Sequence, residues 1–397
     1  MSVTTAQGFL AAGVAAGIKV SGRPDLALVV NTGPQRTCAA VYTSNRFQAA
    51  PVLWSKQVTA GGVLDAVVLN SGGANACTGA DGLADSKATA ELVADAVGSA
   101  PARVAVCSTG LIGVRLPMDA VARGVSLAAE ALSADGGPDA ARAIMTTDTV
   151  PKTAEQAGDG WTIGGMAKGA GMLAPALATM LVVVTTDAVL TPDQADAALR
   201  TATSLTFDRT DSDGCMSTND TVLLMASGAS GVTPDAHAFT VALARVCGDL
   251  ARQLLADAEG ASHDIAINVV NAATEDDALD VARCIARSNL FKCAVFGNDP
   301  NWGRVLASAG TSKAPFDPDA VSVSFNGVRV FESGALGEDR SLVDLASSRD
   351  VDVTVDLAAG TASATVWTND LTYDYVKENA EYRSEEHTSE LQSRGLI

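Results

Sequence analysis

Short β-branched runs alternate with Ala-rich stretches of helical period along this 397-residue chain, and that alternation restricts it to a mixed α/β composition. Leu26 to Val30, Ala66 to Asn70 and Val104 to Ser108 read as strands, whereas Ser86 to Val97 and Met118 to Leu132 read as helices. Trp161-Thr162-Ile163-Gly164-Gly165 reads as a strand running out into glycines, followed by a buried strand from Met180 to Thr185. Thr191-Pro192-Asp193 is a helix start, with Thr as N-cap and Pro at the first helical position. A helix from Phe239 to Ala258 stops at Glu259-Gly260 before a strand from Ile265 to Val270, so Glu259 falls on a helix-to-strand corner. Val321 to Thr368, with strands at Val321 to Phe325 and Val351 to Val355, predicts a β-rich closing lobe.

The length exceeds what one average domain needs and predicts two lobes. An excess of 46 Asp and Glu over 27 Lys and Arg, formally −19, repels phosphate backbones and anionic membrane surfaces, so nucleic acid and membrane are not expected partners. The seven cysteines lack CxxC pairs and the density of a disulfide framework, and read as reduced thiols. No apolar run is long enough to span a bilayer and the amino terminus has no basic n-region, from which a cytoplasmic location is expected. Only His237, His263 and His387 are present, without a Ser or Cys elbow or metal-ligand spacing. No GxxxxGK[ST] run or strand-borne GxGxxG accompanies the glycines, so neither a metal nor a nucleotide cofactor is expected.

The chemistry concentrates between Lys168 and Leu181, where Lys168-Gly169-Ala170-Gly171-Met172-Leu173-Ala174-Pro175-Ala176-Leu177-Ala178-Thr179 leads into the strand at Met180. A small residue, Ala178, and a Gly- and Pro-bearing approach let the peptide strain, so the Thr179 hydroxyl can attack the carbonyl before it. An N-to-O acyl shift and hydrolysis would free the Thr179 amine. An α-amine with a pKa of about 7.7 to 8.0 can take the proton from its own hydroxyl, which activates the threonine. Spacing alone leaves a second reading open, an ordinary strand-initial threonine.

Lys168 to Leu181 followed by Thr185-Thr186-Asp187-Ala188 resembles the bifunctional ornithine acetyltransferase / N-acetylglutamate synthase family of arginine biosynthesis. So do Asn70-Ser71-Gly72-Gly73-Ala74-Asn75-Ala76-Cys77-Thr78-Gly79, Ser108-Thr109-Gly110-Leu111-Ile112-Gly113 and Met145-Thr146-Thr147-Asp148-Thr149. Ser217-Thr218-Asn219-Asp220 and Gly297-Asn298-Asp299-Pro300-Asn301-Trp302-Gly303-Arg304 match as well, and the resemblance runs from near the start to about Ser384.

The resemblance implies an enzyme that cleaves itself between Ala178 and Thr179, then moves acetyl from N-acetylornithine to glutamate through an acetyl-threonine. In some members acetyl-CoA is a further donor. It implies Thr179 as nucleophile, Thr109 and Gly110 as the oxyanion hole, and Thr146, Lys168, Thr179, Glu259, Asn379 and Ser384 as substrate contacts. It further implies a self-processing threonine acyltransferase fold with the nucleophile at the start of a central strand. Residues 1–178 and 179–384 would form α and β chains, assembled as α2β2, and 385–397 would be a disordered tail outside the family pattern. The competing expectation is a self-processing aminopeptidase or amidohydrolase, which passes the acyl group to water.

Overall fold

The computed structural model describes residues 2–172 and 180–381. It divides into two compact units, Met1–Asp208 with Cys215–Asp257, and Arg209–Gly214 with Ala258–Ile397. The expected cut between 178 and 179 therefore falls inside the first unit rather than at a boundary between units. The expected disordered tail lies outside the described residues.

The strands of the first unit are β1 (Phe9–Val14), β2 (Leu26–Asn31), β3 (Thr37–Tyr42), β4 (Ala66–Ser71), β5 (Val104–Thr109), β6 (Lys152–Ala157), β7 (Thr162–Lys168), β8 (Leu181–Thr186) and β9 (Thr221–Ala226). Its helices are α1 (Ala50–Thr59), α2 (Gly79–Val97), α3 (Met118–Glu130), α4 (Gly137–Ala143), α5 (Pro192–Leu205) and α6 (Ala236–Ala256). One sheet runs β1-β2-β4-β5 and the other β3-β9-β8-β7-β6. β4 and β5 are parallel neighbours joined through α2, and β8 and β9 are parallel neighbours joined through α5. Strands covered on both faces need continuous apolar runs, and LALVVN, AVVLNS and LVVVTT are buried at every position. Met166, Leu181, Val183, Leu223 and Met225 of the second sheet join the core of the first, so the sheets pack face to face. Helices α5 and α6 lie on the second sheet and α2 and α3 on the first.

β7 does not run out at Gly164 and Gly165; it continues to Lys168, buried from Ile163 onward. The glycines are there for close approach. A Cβ at Gly164 would sit 2.1 Å from the Ser2 carbonyl oxygen, and one at Gly165 would press on Leu250 and Val246 of α6. α5 starts as expected: the Thr191 side chain accepts from the Gln194 N–H in a capping box with Pro192 at the first position.

In the second unit, β10 (Asp264–Ala272), β11 (Ser322–Phe325), β12 (Val328–Glu332), β13 (Ala335–Leu336), β14 (Asp350–Asp356) and β15 (Ala362–Asn369) form one sheet ordered β13-β12-β11-β14-β10-β15. Val351, Val353 and Val355 point inward between exposed or half-buried Asp350, Asp352, Thr354 and Asp356, the alternation of a sheet with one covered face. That face needs a helical cover. Residues of α7 (Glu275–Ala286), α8 (Asn289–Phe296) and α9 (Trp302–Ala309) share its core, so the closing lobe begins at β10 and is less purely β than the strands after Val321 suggest.

Candidate active site at the head of strand β8

β5 ends at Thr109, and the chain then turns through Gly110 at φ 133°. A Cβ there would lie 2.6 Å from the Gly73 nitrogen, so only glycine fits. The Thr109 carbonyl accepts the N–H groups of Gly72 and Gly73 at 2.9 and 3.0 Å. The Asn219 amide donates to the Ala74 and Ser108 carbonyls at 2.6 and 2.8 Å, and Ser108 donates to Asn70 at 2.6 Å. Thr109 and Gly110 are thus held by a buried polar network rather than hung from a loose strand end.

Lys168, at the end of β7, is only 1% exposed, which excludes a solvated loop charge. Its Nζ donates to Thr109 Oγ1 at 3.1 Å. An ammonium can only donate, so Thr109 Oγ1 must accept, and its own proton is left to donate elsewhere. Lys168 also stands opposite Leu181 in the β7–β8 register. The bonded pair therefore sits beside the start of β8. Ala178 and Thr179, the expected cleavage pair and nucleophile, lie outside the described residues, as does Ser384.

Thr146 stands in the turn before β6, its N–H and hydroxyl both directed to Asp148 Oδ2 at 2.9 and 3.4 Å. Asp148 Oδ1 accepts the Gly169 N–H at 2.7 Å and the Lys152 ammonium at 2.6 Å. Lys152, fully buried, reaches Asp257 at 2.5 Å as well. Burial alone would raise the Asp148 pKa, but Lys168, Lys152 and the Gly169 N–H outweigh it and hold the carboxyl at about 2. Asp148 therefore ties Thr146 to Gly169, one residue past Lys168. Replacing it with Ala strands buried Lys152 beside a single carboxylate, for which a loss of about 3–5 kcal/mol in chemical denaturation is expected. Its folded pKa lies below its unfolded one, so its contribution is complete above about pH 4 and is lost as pH falls toward 2. Acid titration of stability, wild type against Asp148→Asn, reads this directly.

Asp220 closes the Ser217–Asp220 motif. It is fully buried, its Oδ1 accepts the Met180 N–H at 3.1 Å, and its Oδ2 has no hydrogen-bond partner among the described residues. Burial pushes its carboxyl well above the usual range. It anchors the amide that follows Thr179. An acid directly before the wholly buried strand TVLLMA is the signal that could have found it.

The two remaining expected contacts belong to the second unit. Glu259 lies in the turn after α6, which ends at Ala256, and Asn379 on the helical residues 373–381, exposed. Asn379 Nδ2 donates to Glu259 Oε2 at 3.1 Å. A Cβ at Gly260, φ 63°, would lie 2.2 Å from the Tyr375 nitrogen, so corner and helix pack closely. No helix among the described residues is long and apolar enough to cross a membrane.

A family model described as the ArgJ family matches residues 10–384. The chain is 64% identical over 384 residues to the arginine biosynthesis bifunctional protein ArgJ of Streptomyces coelicolor, covering 97% of this chain and all of that protein. It is 56% identical over 390 residues to the protein of the same name from Mycobacterium leprae, covering 96% of each. The crystal structure of ornithine acetyltransferase complexed with ornithine from Mycobacterium tuberculosis is 55% identical and covers 45% of this chain and 96% of that one, with a TM-score of 0.44.

Proposed function

The chain belongs to the ArgJ family, and on that premise we propose that it is a self-cleaving acetyltransferase of arginine biosynthesis carrying acetyl from N-acetylornithine to glutamate. The Thr179 hydroxyl attacks the Ala178 carbonyl, the Ala178–Thr179 C–N bond breaks as the amine takes the proton, and water hydrolyses the resulting ester. The chains released have 178 and 219 residues and assemble as α2β2 in the cytoplasm. The free Thr179 amine then accepts the hydroxyl proton as Oγ attacks the acetyl carbonyl of N-acetylornithine. The C–N bond breaks, ornithine leaves with that proton, and the glutamate amine attacks the acetyl ester to give N-acetylglutamate. No resident cofactor enters these steps.

The observation that carries this reading is the Lys168–Thr109 bond beside the head of β8. Each acyl step passes through a tetrahedral oxyanion. A hydroxyl whose lone pair is engaged by an ammonium is a polarised donor for it, and the Gly110 N–H is the companion donor. Thr146, Lys168, Glu259, Asn379 and Ser384 bind the amino-acid groups, with carboxylates met by cations and hydroxyls and the ornithine amine by Glu259.

Incubation with N-acetylornithine, with and without glutamate, tests the reaction class. Stoichiometric ornithine and N-acetylglutamate are expected with glutamate present, and a slow release of acetate without it. Acetate release at the same rate in both would make the protein an amidohydrolase.

A further inference from the structure

Lys19 is a cation that the site as described leaves unused. It lies in the loop between β1 and β2, whose shape is set by a buried carboxylate: Asp25 accepts the backbone N–H groups of Ala16, Ile18 and Lys19 at 2.6, 2.7 and 2.8 Å. The half-buried Lys19 side chain is directed to the other end of the site. Its Nζ donates to the Met145 carbonyl at 2.6 Å and to the Pro24 carbonyl at 3.3 Å, which fixes the ammonium next to Thr146.

Two features separate Lys19 from the other lysines here. Lys152 is neutralised by Asp148 and Asp257, and Lys168 is bonded to Thr109. Lys19 has two carbonyl acceptors for three N–H groups and, among the described residues, no carboxylate within ion-pair distance. Burial and the nearby Lys168 charge bring its pKa down to about 8, against the opposing pull of Asp25 and Asp148. A half-buried ammonium with an N–H left over favours an anionic acceptor, and the acetyl-transfer substrates supply carboxylates.

We propose that Lys19 is a substrate-binding residue whose remaining N–H receives a carboxylate of the amino-acid substrate, beside Thr146 and Lys168. This rests on the acetyl-transfer reading. The α-carboxylate is common to donor and acceptor, whereas the side-chain carboxylate belongs to glutamate alone, and the half-reactions separate them.

The test compares full-length Lys19→Met and Lys19→Arg with wild type, measuring KM for N-acetylornithine, glutamate and glutamine. Lys19→Met is expected to raise KM about tenfold to a hundredfold, the worth of one charge-assisted hydrogen bond, with kcat changed far less. Lys19→Arg is expected to recover most of the loss. A rise for both substrates assigns the α-carboxylate; a rise for glutamate alone, with discrimination against glutamine lost, assigns the side chain. Unchanged KM values for Lys19→Met, or a fall in kcat alone that Arg does not rescue, would overturn the assignment. Should Lys19→Met fail to fold, amine-reactive labelling of wild type followed by mass spectrometry decides: N-acetylglutamate must protect Lys19, and equal labelling with and without it sinks the idea. Absence of acetyl transfer in wild type is a different failure, that of the parent reading.

Discussion

Thr179→Ala is expected to run as one intact polypeptide under denaturing conditions, where wild type is expected to separate into chains of 178 and 219 residues. The variant is also expected to lose acetyl transfer by about a millionfold, the scale seen when a covalent nucleophile is removed. On the proposed mechanism both effects come from one atom, Oγ, which would attack the preceding carbonyl during maturation and the acetyl carbonyl during turnover. Ala keeps a small side chain while deleting that atom. Thr179→Ser, which retains a hydroxyl, should still be cut, at a reduced rate. Intact-mass measurement beside the activity assay decides the matter: wild type that is fully active as a single uncut chain would rule out a terminal threonine amine as base.

For Thr109→Val we expect kcat lower by about 100- to 1000-fold, the usual loss when one well-aimed oxyanion donor disappears. Valine preserves the branched shape at the end of β5, so the strand and the turn through Gly110 should persist. On the proposed roles, the part of the Lys168 contribution that acts on the oxyanion passes through the same hydroxyl. Lys168→Met should then cost much less in a Thr109→Val background than in wild type, because the acceptor of its bond is already gone. Additive losses in that double-mutant cycle would mean that the two side chains act separately. Far-ultraviolet circular dichroism of each variant controls for folding.

The strands that carry the site were largely legible, because Leu26–Asn31, Ala66–Ser71, Val104–Thr109 and Leu181–Thr186 are apolar runs bounded by polar or turn residues. The start of α5 was legible from local chemistry alone, Thr191, Pro192 and Gln194. What could not be read locally is what depends on partners far along the chain. Lys168 stands among glycines and looks solvated, yet its burial follows from β7 being an interior strand and from Thr109, 59 residues away, on the facing sheet. The Lys152–Asp257 pair spans 105 residues, so a strand lysine gave no hint of a buried ion cluster beneath Thr146. Gly164 and Gly165 suggest a fraying strand because glycine usually weakens one, whereas here the Ser2 carbonyl and α6 demand it. Asp220 and Lys19 escaped for the same reason: only the fold brings one to the Met180 amide and the other to the Met145 carbonyl.

The strand order β3-β9-β8-β7-β6 would tie the fates of the two products of the proposed self-cleavage together. A cut at 178/179 assigns β3, β6 and β7 to one piece and β8 and β9 to the other, so the second pair is inserted between strands of the first. Each piece on its own would present raw sheet edges where a bonded neighbour used to be. On the proposed cut the pieces would be born in a fixed one-to-one ratio from a single translation, could not be traded between molecules without dismantling the sheet, and should be cleared by proteolysis as a pair.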